Sequence, residues 1–297
     1  MSRGARRVTR EDLKRVVVIG SRWKPASQDV ARAVVSWLTH AGIEAVPDFD
    51  GELDLVKAIE GADLAISVGG DGTMLSTARR MGPAQVPTMG INLGRLGFLA
   101  EFSEVEVRDW IAGRLSLDLV VEARMRLRCQ VDGQRGAPEI HYGLNDAVLA
   151  QGVLTRLVTI GMRVDGASAT TYRADGVIVS TPVGSTAYSL SVGGPILIPG
   201  LKAFIVAPIA PHALTNRPIV VSGHSVLEFA LESPVEEAGL VLDGHVKVPL
   251  REGDRFQVRR AKKDFLVVTS SERSYYDLLR TRLGWGERPR LRSEGES

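Results

Sequence analysis

Residues 62–77 read ADLAISVGGDGTMLST, and the reading of this stretch decides how the first half of the chain folds. The run from Leu64 to Val68 lacks strict polar alternation, as a strand covered on both faces of a parallel sheet does. Three glycines close it, and Met74, Leu75 and Ala78 then fall at helical spacing. A buried strand that turns through glycines into a helix suits phosphate, because the first N–H groups of a helix have no intrahelical partner. Asp71 places a carboxylate in the middle of that turn, and its presence has to be explained.

Working outward, RVVVIGS (15–21) is a second β-branched run without alternation. After Pro25 the period changes: Val30, Ala33, Val34, Trp37, Leu38 and Ala41 line one helical face, and Gly42 supplies the stop. IEAV (43–46) reads as a strand, 53–60 as a helix and VPTMGIN (86–92) as a fourth strand. Strands alternating with helices at this pitch imply right-handed crossovers and a doubly wound sheet. The sequence therefore predicts an N-terminal α/β domain over residues 1–117.

From residue 118 the period becomes two. In RMRLRCQV, Met125, Leu127, Cys129 and Val131 are apolar while Arg124, Arg126, Arg128 and Gln130 are polar. The same habit returns in VTIGMRVDG, VLEFALE and HVKVPLREGDRFQVRR, with Gly, Asp and Pro at the breaks. This predicts a C-terminal antiparallel β-sandwich-like domain over 118–263, then a return segment and polar tail over 264–297 that packs back on the first domain. The arginine row reads as a solvated sheet face, since no aromatics interleave with it and the chain balances 37 basic against 35 acidic residues. That balance argues against a nucleic-acid partner. No apolar stretch approaches the roughly 18–20 residues of a membrane span, so no membrane partner is expected either. The single cysteine, Cys129, excludes an internal disulfide framework and suits a cytoplasmic protein.

Three phosphate loops can be tested against VGGDGTML. The chain has no G-x-x-x-x-G-K-[ST] sequence, and a dinucleotide fingerprint would need glycine where Leu75 stands. What remains is a tight turn in which Gly69, Gly70 and Gly72 let a ligand approach the backbone, with Thr73 offering a hydroxyl and N–H groups to an anion. A bare carboxylate within about 4 Å of a phosphate oxygen is repelled by several kcal/mol where the dielectric is low. Asp71 therefore caps the helix, meets phosphate through a divalent cation, or accepts the proton of a hydroxyl that attacks phosphorus. The last two readings both describe phosphoryl transfer.

The turn resembles the G-G-D-G motif of a kinase superfamily that includes NAD kinases, diacylglycerol and sphingosine kinases and phosphofructokinases. Further motifs choose among them. YRADGVIVSTPVGSTAYSLSVGGPIL (172–197), GLNDAVL (143–149), APIAPHALTNRPIVV (207–221) and the ending YYDLLRTRLGWG are similar to NAD kinase segments, in the same order and at ordinary spacing. The resemblance runs from about residue 62 to 286.

It implies transfer of the ATP γ-phosphoryl group to the 2′-hydroxyl of the adenosine ribose of NAD, with a divalent metal, Mg²⁺ by the family's habit. ATP or polyphosphate would be the donor, and a homodimer or homotetramer the assembly. Asp71 would be the proton acceptor or metal ligand; no other protein ligand for the metal is assigned. Gly72 would lie against the adenosine, and Asn145 and Asp146 would grip the ribose hydroxyls. Arg173 and Asp175 would lie near the other end of the dinucleotide, and Thr186, Ala187, Tyr188, Ser189, Leu190 and Ser191 would wrap it. Arg156 and His245 fall where the family contacts the adenosine half across a subunit interface.

The residue chemistry agrees: an amide beside a carboxylate reads paired hydroxyls with a donor and acceptors, and Tyr188 offers a ring for stacking. Asp146 stands where the family more often has glutamate, shortening its reach by one methylene. Val183 replaces a hydroxyl residue, and Ala174 replaces the glycine before Asp175. The competing readings are a lipid or sugar kinase that shares only the glycine turn and a non-catalytic dinucleotide sensor.

Overall fold

The computed structural model describes residues 6–94, 96–132, 137–151, 157–213, 215–233 and 238–286. The first lobe opens with β1 (Arg15–Ile19), α1 (Pro25–His40), β2 (Glu44–Asp48) and a single turn, α2 (Leu55–Ala58). It continues through β3 (Leu64–Gly69), α3 (Asp71–Arg80), β4 (Thr88–Asn92), α4 (Glu104–Ile111) and β5 (Leu119–Arg124). The helix expected over 53–60 is thus only four residues long; the Asp54 carboxylate caps it by accepting from Val56 N (3.1 Å) and Lys57 N (3.4 Å). The sheet order is β2-β1-β3-β4, parallel throughout, then the strand Phe265–Ser270 parallel to β4, then β5 antiparallel at the edge.

The return segment is therefore inserted between β4 and β5 rather than laid on the surface. β5 also belongs to this first sheet, so the exchange between lobes follows residue 124 instead of 117. Val16, Val17 and Val18 of β1 and Leu64 to Val68 of β3 are almost fully buried, in keeping with helices on both faces.

The second lobe is a sandwich of two six-stranded antiparallel sheets. One runs Ala167–Ala174, Val158–Val164, Leu227–Leu231, Arg255–Arg260, Leu127–Asp132, Glu139–Gly143. The other runs Ile219–Ser222, Ala203–Ile209, Gly176–Ser180, Asp146–Gln151, Ala238–Leu242, Val246–Leu250. Alternate residues of both inner faces fill one core, in which Phe229 and Phe256 stack at 4.8 Å between centroids.

Arg126 departs from the solvated face expected of its row. It is 1% exposed, and its guanidinium donates to the carbonyls of Ala78 (3.1 Å), Gly82 (2.8 Å) and Lys263 (3.1 Å). Two of these carbonyls close the C-terminal end of α3, where a cation is favoured. Arg126 so ties the sandwich to the helix whose first residue is Asp71.

Candidate active site

β3 ends at Gly69, whose φ of +154° suits glycine; a β-carbon there would stand 2.2 Å from Thr73 Oγ1. The chain then enters α3 at Asp71. Gly70 is extended and Gly72 lies within the helix, so only the first of the three glycines uses backbone freedom of this kind. Thr73 N donates to Gly70 O (3.0 Å), which leaves Asp71 and Gly72 to present the open N–H groups of the first turn.

The Asp71 carboxylate is gripped from the other side. Its Oδ1 accepts from Leu99 N (2.9 Å) and Ala100 N (3.1 Å), and its Oδ2 from Phe98 N (2.9 Å). Gly97 makes room for this, since a β-carbon there would lie 2.1 Å from Oδ1. Gly90 lets the same loop lie close along β4, its own absent β-carbon falling 2.7 Å from Ala100 Cα. A carboxylate has about four lone-pair positions, so one on Oδ2 is left by these three donors.

The second lobe brings up Leu144, Asn145 and Asp146. Asp243, in a turn with φ of 48°, accepts from the N–H groups of Leu144 (2.9 Å), Asn145 (2.8 Å) and Asp146 (3.1 Å). Thr181 completes the corner: its N–H donates to Asn145 O (2.8 Å) and its hydroxyl to Leu144 O (2.5 Å). A β-carbon on Gly184 would stand 2.2 Å from Asn145 O, which fixes glycine in the STPVGST turn. Asp146 is 5% exposed; burial, with the Asp243 charge beside it, pushes its carboxyl up to about 7. Burial also raises the Asp243 carboxyl, against the pull of its three N–H donors.

Asp71 sits where two cavities meet. One, of about 260 Å³, joins it to Leu75, Phe98, Asn145, Val183, Thr186 and Ala187. The other, of about 620 Å³, joins it to Trp23, Lys24, Gly69, Gly70, Gly94 and Gly97. Gly72, Thr73 and His245 line a third, of about 420 Å³, beside Arg22, Lys24, Arg79 and Arg80. Arg80 is held by Asp48 (2.6 Å), and the His245 ring nitrogen Nδ1 lies 2.7 Å from Asp243 O.

Other expected residues do not line the two cavities at Asp71. Arg173 and Asp175 flank the crossing between the two sheets of the sandwich. Gly176 pairs with Ala150 while Ser180 pairs with Asp146, which puts Asp175 about 16 Å along the strand from the Asp146 corner. Tyr188, Ser189, Leu190 and Ser191 form a single helical turn; Tyr188 is 46% exposed, whereas Ser189 is buried with its hydroxyl against Gly194. Arg156 lies outside the described residues.

The ATP-NAD kinase N-terminal domain family model matches residues 52–116, and the ATP-NAD kinase C-terminal domain model matches 144–270. The NAD kinase of Geotalea daltonii is 40% identical over 290 residues, spanning 93% of this chain and all of that protein. The chain belongs to the NAD kinase family. Another member, the NAD kinase of Magnetococcus marinus, is 43% identical over 228 residues, covering 77% of this chain and 75% of its own. Solved members share the fold: a yeast NADH kinase complexed with NADH superposes with a TM-score of 0.79 at 25% identity, covering 97% of this chain and 95% of its own. An NAD kinase from Archaeoglobus fulgidus in complex with ATP gives 0.69 at 27% identity, covering 91% and 97%.

Within this NAD kinase, the sequence reading missed Asp243 and the backbone donors around Asp71. The L-D-G-H turn at 242–245 reads as an ordinary Asp-Gly turn, and nothing in LGRLGFLA announces N–H groups aimed at a carboxylate. Arg282, which lines both cavities at Asp71, was likewise unmarked.

Proposed function

We propose that this NAD kinase carries out its reaction at the junction on Asp71, with the acceptor ribose in the cavity shared by Asn145, Thr186 and Ala187 and the donor phosphates in the cavity of Lys24, Gly69 and Gly70. The observation that carries this reading is that Asp71 and Asn145, from different lobes and 74 residues apart in sequence, line one cavity. The 2′-hydroxyl gives its proton to Asp71 Oδ2 as its oxygen bonds to the γ-phosphorus, and the bond from that phosphorus to the bridging oxygen breaks to release ADP. Phosphoryl transfer usually has a loose transition state, so Asp71 acts mainly by orienting the hydroxyl. Phe98, Leu99 and Ala100 hold the carboxylate for that task.

Among the described residues no cluster of three or more His, Cys, Asp or Glu is placed to hold a metal. A single open carboxylate position beside a phosphate cavity fits Mg²⁺, which keeps waters and takes most of its ligands from substrate phosphates. Asp71 would hold it only in place of the hydroxyl, since one open Oδ2 position serves one or the other, and the ion would supply neutralisation of phosphate charge. Asp146 and Asn145 read the ribose hydroxyls, Gly72 and His245 face the adenosine half, and Arg173 and Asp175 the far end of the dinucleotide. A homo-oligomer in the cytoplasm completes the reading; the single cysteine supports a reducing compartment, and among the described residues no helix is long and apolar enough to cross a membrane.

The test is direct: purified protein with Mg²⁺, NAD and either ATP or polyphosphate, assayed for NADP. Formation of NADP supports the reading, and its absence with every donor overturns it.

A further inference from the structure

We propose that Arg282 is a catalytic residue, the group that meets the phosphoryl in flight between donor and acceptor. The inference rests on the functional reading above, and it begins from one geometric fact. Of all the residues lining the two cavities that meet at the GGDG turn, only Asp71 and Arg282 line both. Asp71 and Arg282 are thus the two residues common to the cavities on either side of the turn.

Arg282 comes from the helix Tyr275–Leu283 at the end of the return segment. In that helix Leu278 and Leu279 are buried, the Ser274 hydroxyl caps its start at Tyr276 N (3.2 Å), and Gly284 ends it with φ of 62°. The Tyr275 ring packs 6.1 Å from Phe98, the residue whose N–H holds Asp71 Oδ2. Phe98 thus touches both sides of the junction. Arg282 itself is exposed and has no ion pair or hydrogen bond among the described residues, whereas Arg280, two residues earlier, is engaged by Asp277.

An uncommitted guanidinium at this point answers the problem that Asp71 raises. Transfer forms the bond from the 2′-oxygen to phosphorus and breaks the bond to the ADP oxygen, while the hydroxyl proton goes to Asp71. Negative charge on the three equatorial oxygens must be met within reach of that carboxylate, and a planar fork of N–H donors matches phosphoryl oxygens. The other role open to Arg282 is a cation in the last turn of its helix, worth at most about 1 kcal/mol at an exposed site, which would appear in stability and not in turnover.

The experiment compares wild type, Arg282→Ala and Arg282→Lys. NADP formation by wild type secures the functional reading; if wild type forms none, that reading falls and Arg282 with it. With wild type active, Arg282→Ala is expected to lose about 10²–10³-fold in kcat. Its directly measured NAD dissociation constant should stay within about threefold, and added guanidinium ion should restore part of kcat. Arg282→Lys keeps the helix-end charge and is expected to lose about tenfold, because an ammonium lacks the fork. Full activity in either variant, or a kcat loss in Arg282→Ala matched by an equal loss of NAD affinity without guanidinium rescue, overturns the assignment.

Discussion

The carboxylate of Asp71 occupies the place where a β-carbon on Gly97 would have to go, 2.1 Å from Oδ1. The loop from Gly97 to Ala100 is thus built around an acid 26 residues before its first glycine, and any side chain at 97 must move one or the other. Gly97→Ala is expected to lower kcat by about 10- to 100-fold, since displacement on the order of 1 Å suffices. Steady-state kinetics and a thermal melt check this; unchanged kcat would mean that the loop gives way without disturbing Asp71.

Asp71→Asn replaces one acceptor oxygen with an NH₂ group facing N–H donors of Phe98, Leu99 or Ala100. Turnover is expected to fall by about 10²–10⁴-fold with NAD affinity nearly intact. Kinetics paired with calorimetric NAD titration separate the two effects. Equal losses in both would mean that Asp71 serves NAD binding as much as the transfer step.

Asp243 gathers three backbone N–H groups from Leu144, Asn145 and Asp146. Asp243→Ala leaves those donors without their acceptor, at an expected cost of roughly 3 kcal/mol in unfolding free energy and a weaker grip on NAD. Urea denaturation measures the first and NAD titration the second. Preserved NAD affinity in a destabilised protein would show that the Asn145 corner keeps its shape unaided.

Burial raises the Asp146 carboxyl from an ordinary 3.8 to about 7. The folded state therefore holds its proton more tightly than the unfolded chain does. The associated stability is complete below about pH 4, declines as the pH rises to about 7, and is flat beyond. Asp146→Asn, which mimics the protonated acid, removes this part of the decline, so its melting temperature relative to wild type should climb by several degrees between pH 4 and 7. The raised Asp243 carboxyl shifts in the same direction and leaves a remainder. A constant difference across that window would contradict the assignment.

Arg126→Met removes the donors to Ala78, Gly82 and Lys263. The three carbonyls lose these hydrogen bonds, and a loss of roughly 2–4 kcal/mol is expected by denaturant titration. Because α3 runs from this anchor to Asp71, kcat should fall as well. Arg126→Lys should recover only part of each, since one ammonium cannot reach all three carbonyls with the same geometry.

Much of the fold is legible in the sequence. RVVVI and LAISV read as buried parallel strands because burial on both faces favours apolar side chains there, and RCQV reads as a half-buried strand because its two faces meet different surroundings. Arg126 shows the limit of that logic. It stands in the break between β5 and the strand Leu127–Asp132, where the expected alternation stops, and periodicity does not say what covers such a residue. Here α3 covers it. The strand Phe265–Ser270 is a similar case: its composition marks a strand, and only the pairing with β4 and β5 places it in the first sheet.

What the sequence determined on its own was local chemistry and the family it belongs to. The GGDGT turn stands out by residue type and spacing, and the Asn145–Asp146 pair and the STPVGSTAY segment by their resemblance to NAD kinase segments. What only the tertiary structure decided was which of these groups meet, and what holds them. Asp71 is gripped by N–H groups from residues 98–100, Asn145 is set by a carboxylate at 243, and both cavities at Asp71 are shared with an arginine at 282. Each of these contacts joins atoms far apart along the chain, and backbone N–H groups, common to every residue but proline, leave no trace of their aim in a sequence.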